Sequence, residues 1–500
     1  MRPSEVHLPP GTGPEAADRL GRQSLAAAWT EQWAAAPHHP TLFDDARGWV
    51  HAGELEDRTR TVAGRMAAAG LGPGDRVLMS AGASIDLVVA HLAALRAGLV
   101  VLPANTAYLE RELAHLVRDA RPSLAVVDDA QRARWVEDAA VEPLVVTGPD
   151  LALPDGPDPA WLDGVGPDDP ALLAYTSGTT GAPKGALLSH GNLLSSVEAL
   201  GLAWRWTPED RLVLPLPLFH MHGLGVALHG TLTAGASAVL RPSFDAVDTL
   251  EAVDQHRATL FFGVPTMWSR LAGTGRMHEL APLRLGVSGS APLDPGLHAT
   301  IAEATGHHLI ERYGMTETVI LASNPYDGDR RAGTVGFPIP GVELRLHAET
   351  GEIEARGPNV FDGYWQRPEA NATSFRDGWF ATGDVGSLDD DGYLRIVGRT
   401  KELIISGGYN VYPREVEDVL RTHPAVHDAA VVGLPHPEWG EQVVAVVEGP
   451  GDGADEAALL ALARAELAAY KRPKRIVFVD ALPRNALGKV VKADVRALVG

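Results

Sequence analysis

The sequence predicts an α/β protein: a large N-terminal domain of parallel sheets covered by helices, a small barrel-like subdomain, and a small C-terminal α+β lid. Three observations carry this. Apolar strand-like runs alternate with helical patterns from Arg76 to Val287, as parallel strands joined by helical crossovers require. Five hundred residues exceed what one hydrophobic core organises, so two or more domains are expected. The pattern then changes twice, to short strands and tight glycine turns over 333–400 and to mixed helices and strands after Lys401.

Taken in order, residues 1 to about 22 are polar and proline-rich, lack the apolar core of a signal peptide, and read as a poorly ordered leader. The N-terminal domain is expected over 23–400 and the lid over 401–500. Arg76–Ser80, Leu99–Pro103 and Leu124–Asp128 read as strands. Ile85–Ala97 repeats apolar residues at helical spacing and stops at Gly98, a C-cap signal. Ala236–Leu240, Thr259–Val264 and Leu283–Val287 continue the strand series. In the lid, Pro413–Thr422 reads as a helix with proline in its first turn, Asp428–Leu434 and Gln442–Glu448 as strands, and Ala454–Tyr470 as an Ala/Leu-rich helix.

Composition narrows the function. An apolar fraction of 45% supports large cores, and a net charge of −21 argues against nucleic-acid or anionic-membrane partners, which demand a basic face. The sequence has no cysteine, so disulfides and thiolate metal sites are excluded; this fits a reducing cytoplasm, the expected location. No window of 18 uninterrupted apolar residues offers a membrane span.

One segment stands out chemically. Thr176-Ser177-Gly178-Thr179-Thr180-Gly181-Ala182-Pro183-Lys184-Gly185 packs hydroxyls, glycines and a lysine between two apolar strand-like runs. Such a loop has little to bury, but its N–H groups and hydroxyls can surround a phosphate. It is not a Walker A loop, because Pro183 precedes the lysine and Gly185-Ala186 follow it.

This loop resembles the phosphate-binding signature of the adenylate-forming enzymes, the superfamily of acyl-CoA synthetases, luciferases and peptide-synthetase adenylation domains. Further family motifs follow in order: Glu311-Arg312-Tyr313-Gly314-Met315-Thr316-Glu317, Gly378–Asp384, Gly398–Glu402 and Pro483–Lys489. The resemblance runs from about residue 40 to the C-terminus. It implies ATP, Mg²⁺ and CoA, with Lys489, Thr176 and Glu317 as catalytic groups. Lys489 would bridge the substrate carboxylate and the α-phosphate, and Glu317 would hold the Mg²⁺, a hard ion suited to carboxylate and phosphate oxygens. ATP would lie against Thr176, Ser177, Gly178, Thr179, Thr180, Gly181 and Lys184, with Tyr313, Gly314, Met315 and Thr316 around the adenine and α-phosphate. Asp384 and Arg399 would hold the ribose. Lys401 would be a hinge for the lid, and Gly407 and Gly408 would let the pantetheine arm pass close to the backbone. The basic run Lys471–Arg475 is by default a solvated face, with contact to CoA phosphates as the alternative.

The acid itself is read from His222, Arg270 and Ser290. Pro265 starts a helix that puts Arg270 on the side of Met267 and Thr266; its plain alternative is an arginine that lays its stem on apolar surface and keeps its head in water. The segments around Arg270 and Ser290 resemble malonyl-CoA synthetases, in which the matching Arg, Ser and His hold the distal carboxylate of malonate or methylmalonate. A buried guanidinium at Arg270 is therefore expected, with a CoA ligase for a medium-chain fatty or aromatic acid as the alternative. A separate carrier protein or a second copy of the chain stays open as a partner.

Overall fold

The computed structural model describes residues 3–176, 183–406, 409–449, 455–485 and 488–500. The chain forms two compact units, one of Met1–Leu344 with Ala355–Phe380, the other of Arg345–Glu354 with Ala381–Gly500.

The first unit is built on two sheets. Among the described residues one has seven strands, in the order Gly363–Tyr364, Lys184–Ser189, Pro170–Thr176, Val100–Pro103, Arg76–Ser80, Leu124–Val127, Val145–Thr147. Its centre is parallel, with Val77 opposite both Val101 and Leu124. Lys184–Ser189 turns back antiparallel against Pro170–Thr176, and Gly363–Tyr364 closes that edge antiparallel. The other sheet has nine strands and places Ile310–Tyr313, Leu285–Ser288, Leu260–Gly263, Arg211–Leu214, Ser237–Leu240 and Pro40–Asp44 side by side, all parallel. Strands such as Leu124–Val127, Leu260–Gly263 and Leu285–Ser288 are buried throughout, so their sequences run apolar rather than alternating. Ile85–Arg96 is the expected helix, capped by Ser84 and almost wholly buried.

In the second unit Asp428–His436 and Gly440–Glu448 pair antiparallel, and Arg475–Val479 adds a parallel strand to Gly440–Glu448. Both faces of these strands are covered. Ala429 and Val431 pack with Val416, Leu420 and Leu459 on one side, and Ala430, Val432 and Val444 pack with Val495 and Val499 on the other. Among the strands between Glu343 and Arg399, the ten-residue Trp379–Leu388 pairs antiparallel with Leu394–Arg399.

The N-terminal segment differs from the poorly ordered leader expected. Pro3–His7 and Pro14–Arg19 are short 3₁₀ helices, and His7 is fully buried with its ring nitrogen 3.2 Å from the Phe337 carbonyl. Arg205 donates to the His7 and Leu8 carbonyls, and Glu198 accepts the Gly21 N–H at 2.7 Å. Burial drives the His7 pKa down to about 4, so it docks as a neutral ring. Long-range hydrogen bonds, which a polar leader does not advertise, hold this segment in place.

Candidate functional site

The sequence-predicted residues fall in both units.

In the first unit, the phosphate-loop candidate joins Pro170–Thr176 to Lys184–Ser189, with Thr176 directly opposite Lys184 across the pair. Ser177, Gly178, Thr179, Thr180 and Gly181 lie outside the described residues. The ends of the loop are anchored. His115 donates from Nε2 to the Pro183 carbonyl at 2.9 Å, and Tyr175 donates its hydroxyl to Asp119 at 2.7 Å. Asp119 also accepts from Arg367 at 2.5 Å. Burial and the anionic Asp119 both push the Tyr175 pKa up, so the phenol keeps its proton and remains a donor.

Tyr313 ends the buried strand Ile310–Tyr313, and the chain turns there through Gly314. A Cβ at Gly314 would sit 2.0 Å from the Val319 carbonyl oxygen, so no other residue lets the chain double back at this point. Met315 and Thr316 are half-buried on this turn, and Glu317 follows, 5% exposed. One Glu317 carboxylate oxygen accepts the Tyr364 hydroxyl at 2.7 Å, and its backbone carbonyl accepts the Phe361 N–H at 2.9 Å. Tyr364 also lies beneath Lys184, whose ammonium stands 5.0 Å from the ring centroid. Among the described residues no group of three or more His, Cys, Asp or Glu could hold a metal ion. A lone buried carboxylate fits a hard cation that keeps water and draws its other ligands from nucleotide phosphates, as Mg²⁺ does.

The acid-binding candidates meet in the same unit. His222 begins a π-helical stretch, His222–Leu228, and is buried. Its Nδ1 lies 3.4 Å from the Ser290 hydroxyl, while its Nε2 has no partner among the described residues. Burial first, then the neighbouring Arg312 and His220, holds its pKa well below the usual range, so the ring is neutral. Ser290 takes a left-handed backbone (φ 70°), uncommon for a residue with a side chain.

Arg270 departs from expectation. It lies on the helix Pro265–Gly273 as predicted, but the residue is exposed rather than buried. The helix buries Trp268 and Leu271 instead, and these set which face turns inward. The buried guanidinium is Arg312, which motif reading had passed over. It is 7% exposed, and its Nε and Nη2 have no hydrogen-bond partner among the described residues. It packs on Gly289, where a Cβ would fall 2.4 Å from its Cζ. Burial pushes its pKa down to about 9. Arg96 is the instructive contrast: fully buried too, it donates to both oxygens of Asp163 at 2.8 and 2.7 Å and to Thr59 at 2.7 Å. Buried donors in native proteins are nearly always satisfied, and Arg312 lies close enough to His222 to act on its charge, so the two together fit a polar ligand. The sequence signal was a charged residue inside a strand buried throughout, Ile310–Tyr313.

In the second unit, Asp384 and Arg399 are cross-strand partners, and Arg399 donates from Nε to the buried Asp384 carboxylate at 3.0 Å. Lys489 sits on a turn closed by Asn485, whose N–H donates to the Lys489 carbonyl at 2.9 Å and whose side-chain oxygen accepts the Lys489 N–H at 3.0 Å. The residue is solvent-accessible, yet protein crowds its ammonium closely enough to lower its pKa; Arg399 adds to this, while Asp384 and Glu402 oppose it. Lys401 lies in a single 3₁₀ turn, Thr400–Glu402, inside the second unit. Gly407 and Gly408 lie outside the described residues.

Residues 29–365 match the family model of the AMP-binding enzyme, and 415–489 that of the AMP-binding enzyme C-terminal domain. The chain is 37% identical over 494 residues to a feruloyl-CoA synthase of an Amycolatopsis species, covering 96% of this chain and 100% of that protein. It is 36% identical over 477 residues to the mitochondrial malonate–CoA ligase ACSF3 of Mus musculus, covering 84% and 81%. The crystal structure of ATP-bound MatB from Rhodopseudomonas palustris is similar with a TM-score of 0.88 at 41% identity, covering 95% of this chain and 98% of that one. No described helix is long and apolar enough to cross a membrane. The chain therefore belongs to the AMP-binding enzyme family, and within it to the ATP-dependent, AMP-forming acyl-CoA ligases.

Proposed function

We propose that this ligase activates a short dicarboxylic acid, malonate or methylmalonate, as its acyl-adenylate and transfers the acyl group to CoA in the cytoplasm, releasing pyrophosphate and then AMP. The observation that carries this is Arg312, a buried guanidinium with two nitrogens unpartnered among the described residues, beside His222 and Gly289. A carboxylate is the planar anion that satisfies such a fork. A monocarboxylate would leave the guanidinium desolvated and unpaired, a penalty of roughly 2–5 kcal/mol against it. The similarity to the malonate–CoA ligase supports the same acid class.

The roles of the remaining groups follow from charge. Adenylation brings a carboxylate anion to a phosphate anion, so fixed positive charge is needed where they react. Lys489 is the proposed source of that charge; within the first unit, Lys184 and the Thr176 hydroxyl are the proposed phosphate contacts. Glu317 provides the protein carboxylate for Mg²⁺, which neutralises phosphate charge when bound. Asp384 accepts from the ribose hydroxyls, with Arg399 fixing its orientation. Lys401 is the proposed pivot between the two half-reactions.

A second class, a fatty or aromatic acid, is favoured by one feature. The feruloyl-CoA synthase is among the relatives, although the apolar cavity lined by Met79, Leu87, Val101, Phe219, Leu224 and Leu228 offers only about 20 Å³, room for one water-sized group. Pyrophosphate release measured with malonate, methylmalonate, acetate, butyrate, octanoate and benzoate, each with and without CoA, separates the two. Turnover of the diacids far above the rest is expected; octanoate or benzoate in the lead would overturn the diacid assignment.

A further inference from the structure

We infer that Tyr364 is a positioning residue that couples the phosphate loop to the metal-binding carboxylate, its hydroxyl orienting Glu317 and its ring face holding the Lys184 ammonium. This rests on the proposed roles of Glu317 and Lys184. The backbone explains the arrangement. Tyr364 pairs directly with Ala186 across the sheet edge, and Lys184, two residues along the same face, is its diagonal neighbour. The small side chain of Ala186 leaves the ring open to the lysine, which stands 5.0 Å from its centroid. From the other side the Tyr364 hydroxyl donates to Glu317 at 2.7 Å.

Tyr364 is held as firmly as a ligand-orienting group needs to be. Its N–H donates to the Asn371 side-chain oxygen at 2.7 Å, and its carbonyl accepts the Asn371 amide at 3.0 Å. The preceding residues are clamped to the Glu317 turn: Phe361 N–H donates to the Glu317 carbonyl, and the Asn359 amide donates to the Thr318 and Ile320 carbonyls at 2.8 and 2.7 Å. Its ring packs edge-on against Phe361 with centroids 4.9 Å apart. One side chain thus touches both partners of the nucleotide, a loop cation and a metal carboxylate, from a clamped backbone. A carboxylate ligand whose free oxygen is fixed by a hydrogen bond binds metal better than one free to rotate.

The test separates hydroxyl from ring. Tyr364→Phe removes only the donor, whereas Tyr364→Leu removes donor and ring face. Binding of Mn²⁺ to the protein–ATP complex is followed by electron paramagnetic resonance, and ATP binding in EDTA by calorimetry, on the full chain without any acid. Tyr364→Phe should weaken Mn²⁺ by roughly tenfold, the scale of losing an outer-shell partner, with metal-free ATP affinity within about twofold of the parent. Tyr364→Leu should weaken metal-free ATP binding as well. Unchanged Mn²⁺ affinity in Tyr364→Phe, alongside a strong loss in Glu317→Gln, would overturn the coupling while leaving the metal role intact. Unchanged affinity in Glu317→Gln as well would overturn both. If Tyr364→Leu does not fold, Tyr364→Phe alone still decides the orienting role of the hydroxyl.

Discussion

Replacing Arg312 with methionine should abolish use of a diacid while leaving the protein at least as stable. Methionine keeps a flexible apolar stem against Gly289 and removes the cation, whose Nε and Nη2 are unpartnered among the described residues. Arg96 shows what this fold does with a buried guanidinium it uses structurally: it gives it Asp163 and Thr59. Arg312 has no such compensation at those two nitrogens. Exchanging a poorly compensated buried charge for an apolar side chain of similar size is typically neutral to stabilising, by about 1–4 kcal/mol. Loss of the ligand's charge partner costs roughly 2–5 kcal/mol, which at about 1.4 kcal/mol per decade is a fall in malonate kcat/KM of some 30-fold or more. Pyrophosphate release at saturating ATP reads the second quantity, and denaturant unfolding reads the first. Stability bought back at the expense of function is the pattern a ligand-binding residue gives. If Arg312→Met instead unfolds the protein and lowers ATP and malonate use together, Arg312 is structural. If malonate kcat/KM is unchanged, the diacid assignment fails.

Two further outcomes follow from the same geometry. Arg270→Met should leave malonate kcat/KM within about twofold, because an exposed side chain away from special features contributes little; a large loss of malonate use would return Arg270 to the pocket. Lys489→Ala should slow ATP–pyrophosphate exchange by at least ~10²-fold, the scale of losing one preorganised donor, while thioester formation from supplied acyl-adenylate largely survives. Equal slowing of both half-reactions would count against a role confined to adenylation.

Much of the fold was legible because its strands are buried on both faces and therefore read as apolar blocks. Arg76–Ser80 is found with the bounds expected, and Ile85–Arg96 stops one residue short of its expected end. The Asp384–Arg399 pair was legible as two motifs, and the structure places them opposite each other on paired strands. What escaped was tertiary. His7 is buried by contacts with residues such as Phe337 and Arg205, far away in sequence, and nothing in a polar, proline-rich segment announces them. Arg270 and Arg312 show the same limit within the site. Helical spacing put Arg270 beside Met267, but the packing of Trp268 and Leu271 decided which face turned inward. Arg312 sat in view inside a motif, and its meaning needed the observation that every residue of Ile310–Tyr313 is buried.

The most direct test is the structure of the enzyme with a non-hydrolysable malonyl-adenylate analogue. The distal carboxylate is predicted to lie at about 2.7–2.9 Å from the Arg312 nitrogens, the span of a charge-assisted hydrogen bond, with His222 Nε2 or the Ser290 hydroxyl as a further donor. A distal carboxylate held elsewhere, with Arg312 Nε and Nη2 still unpartnered, would contradict it.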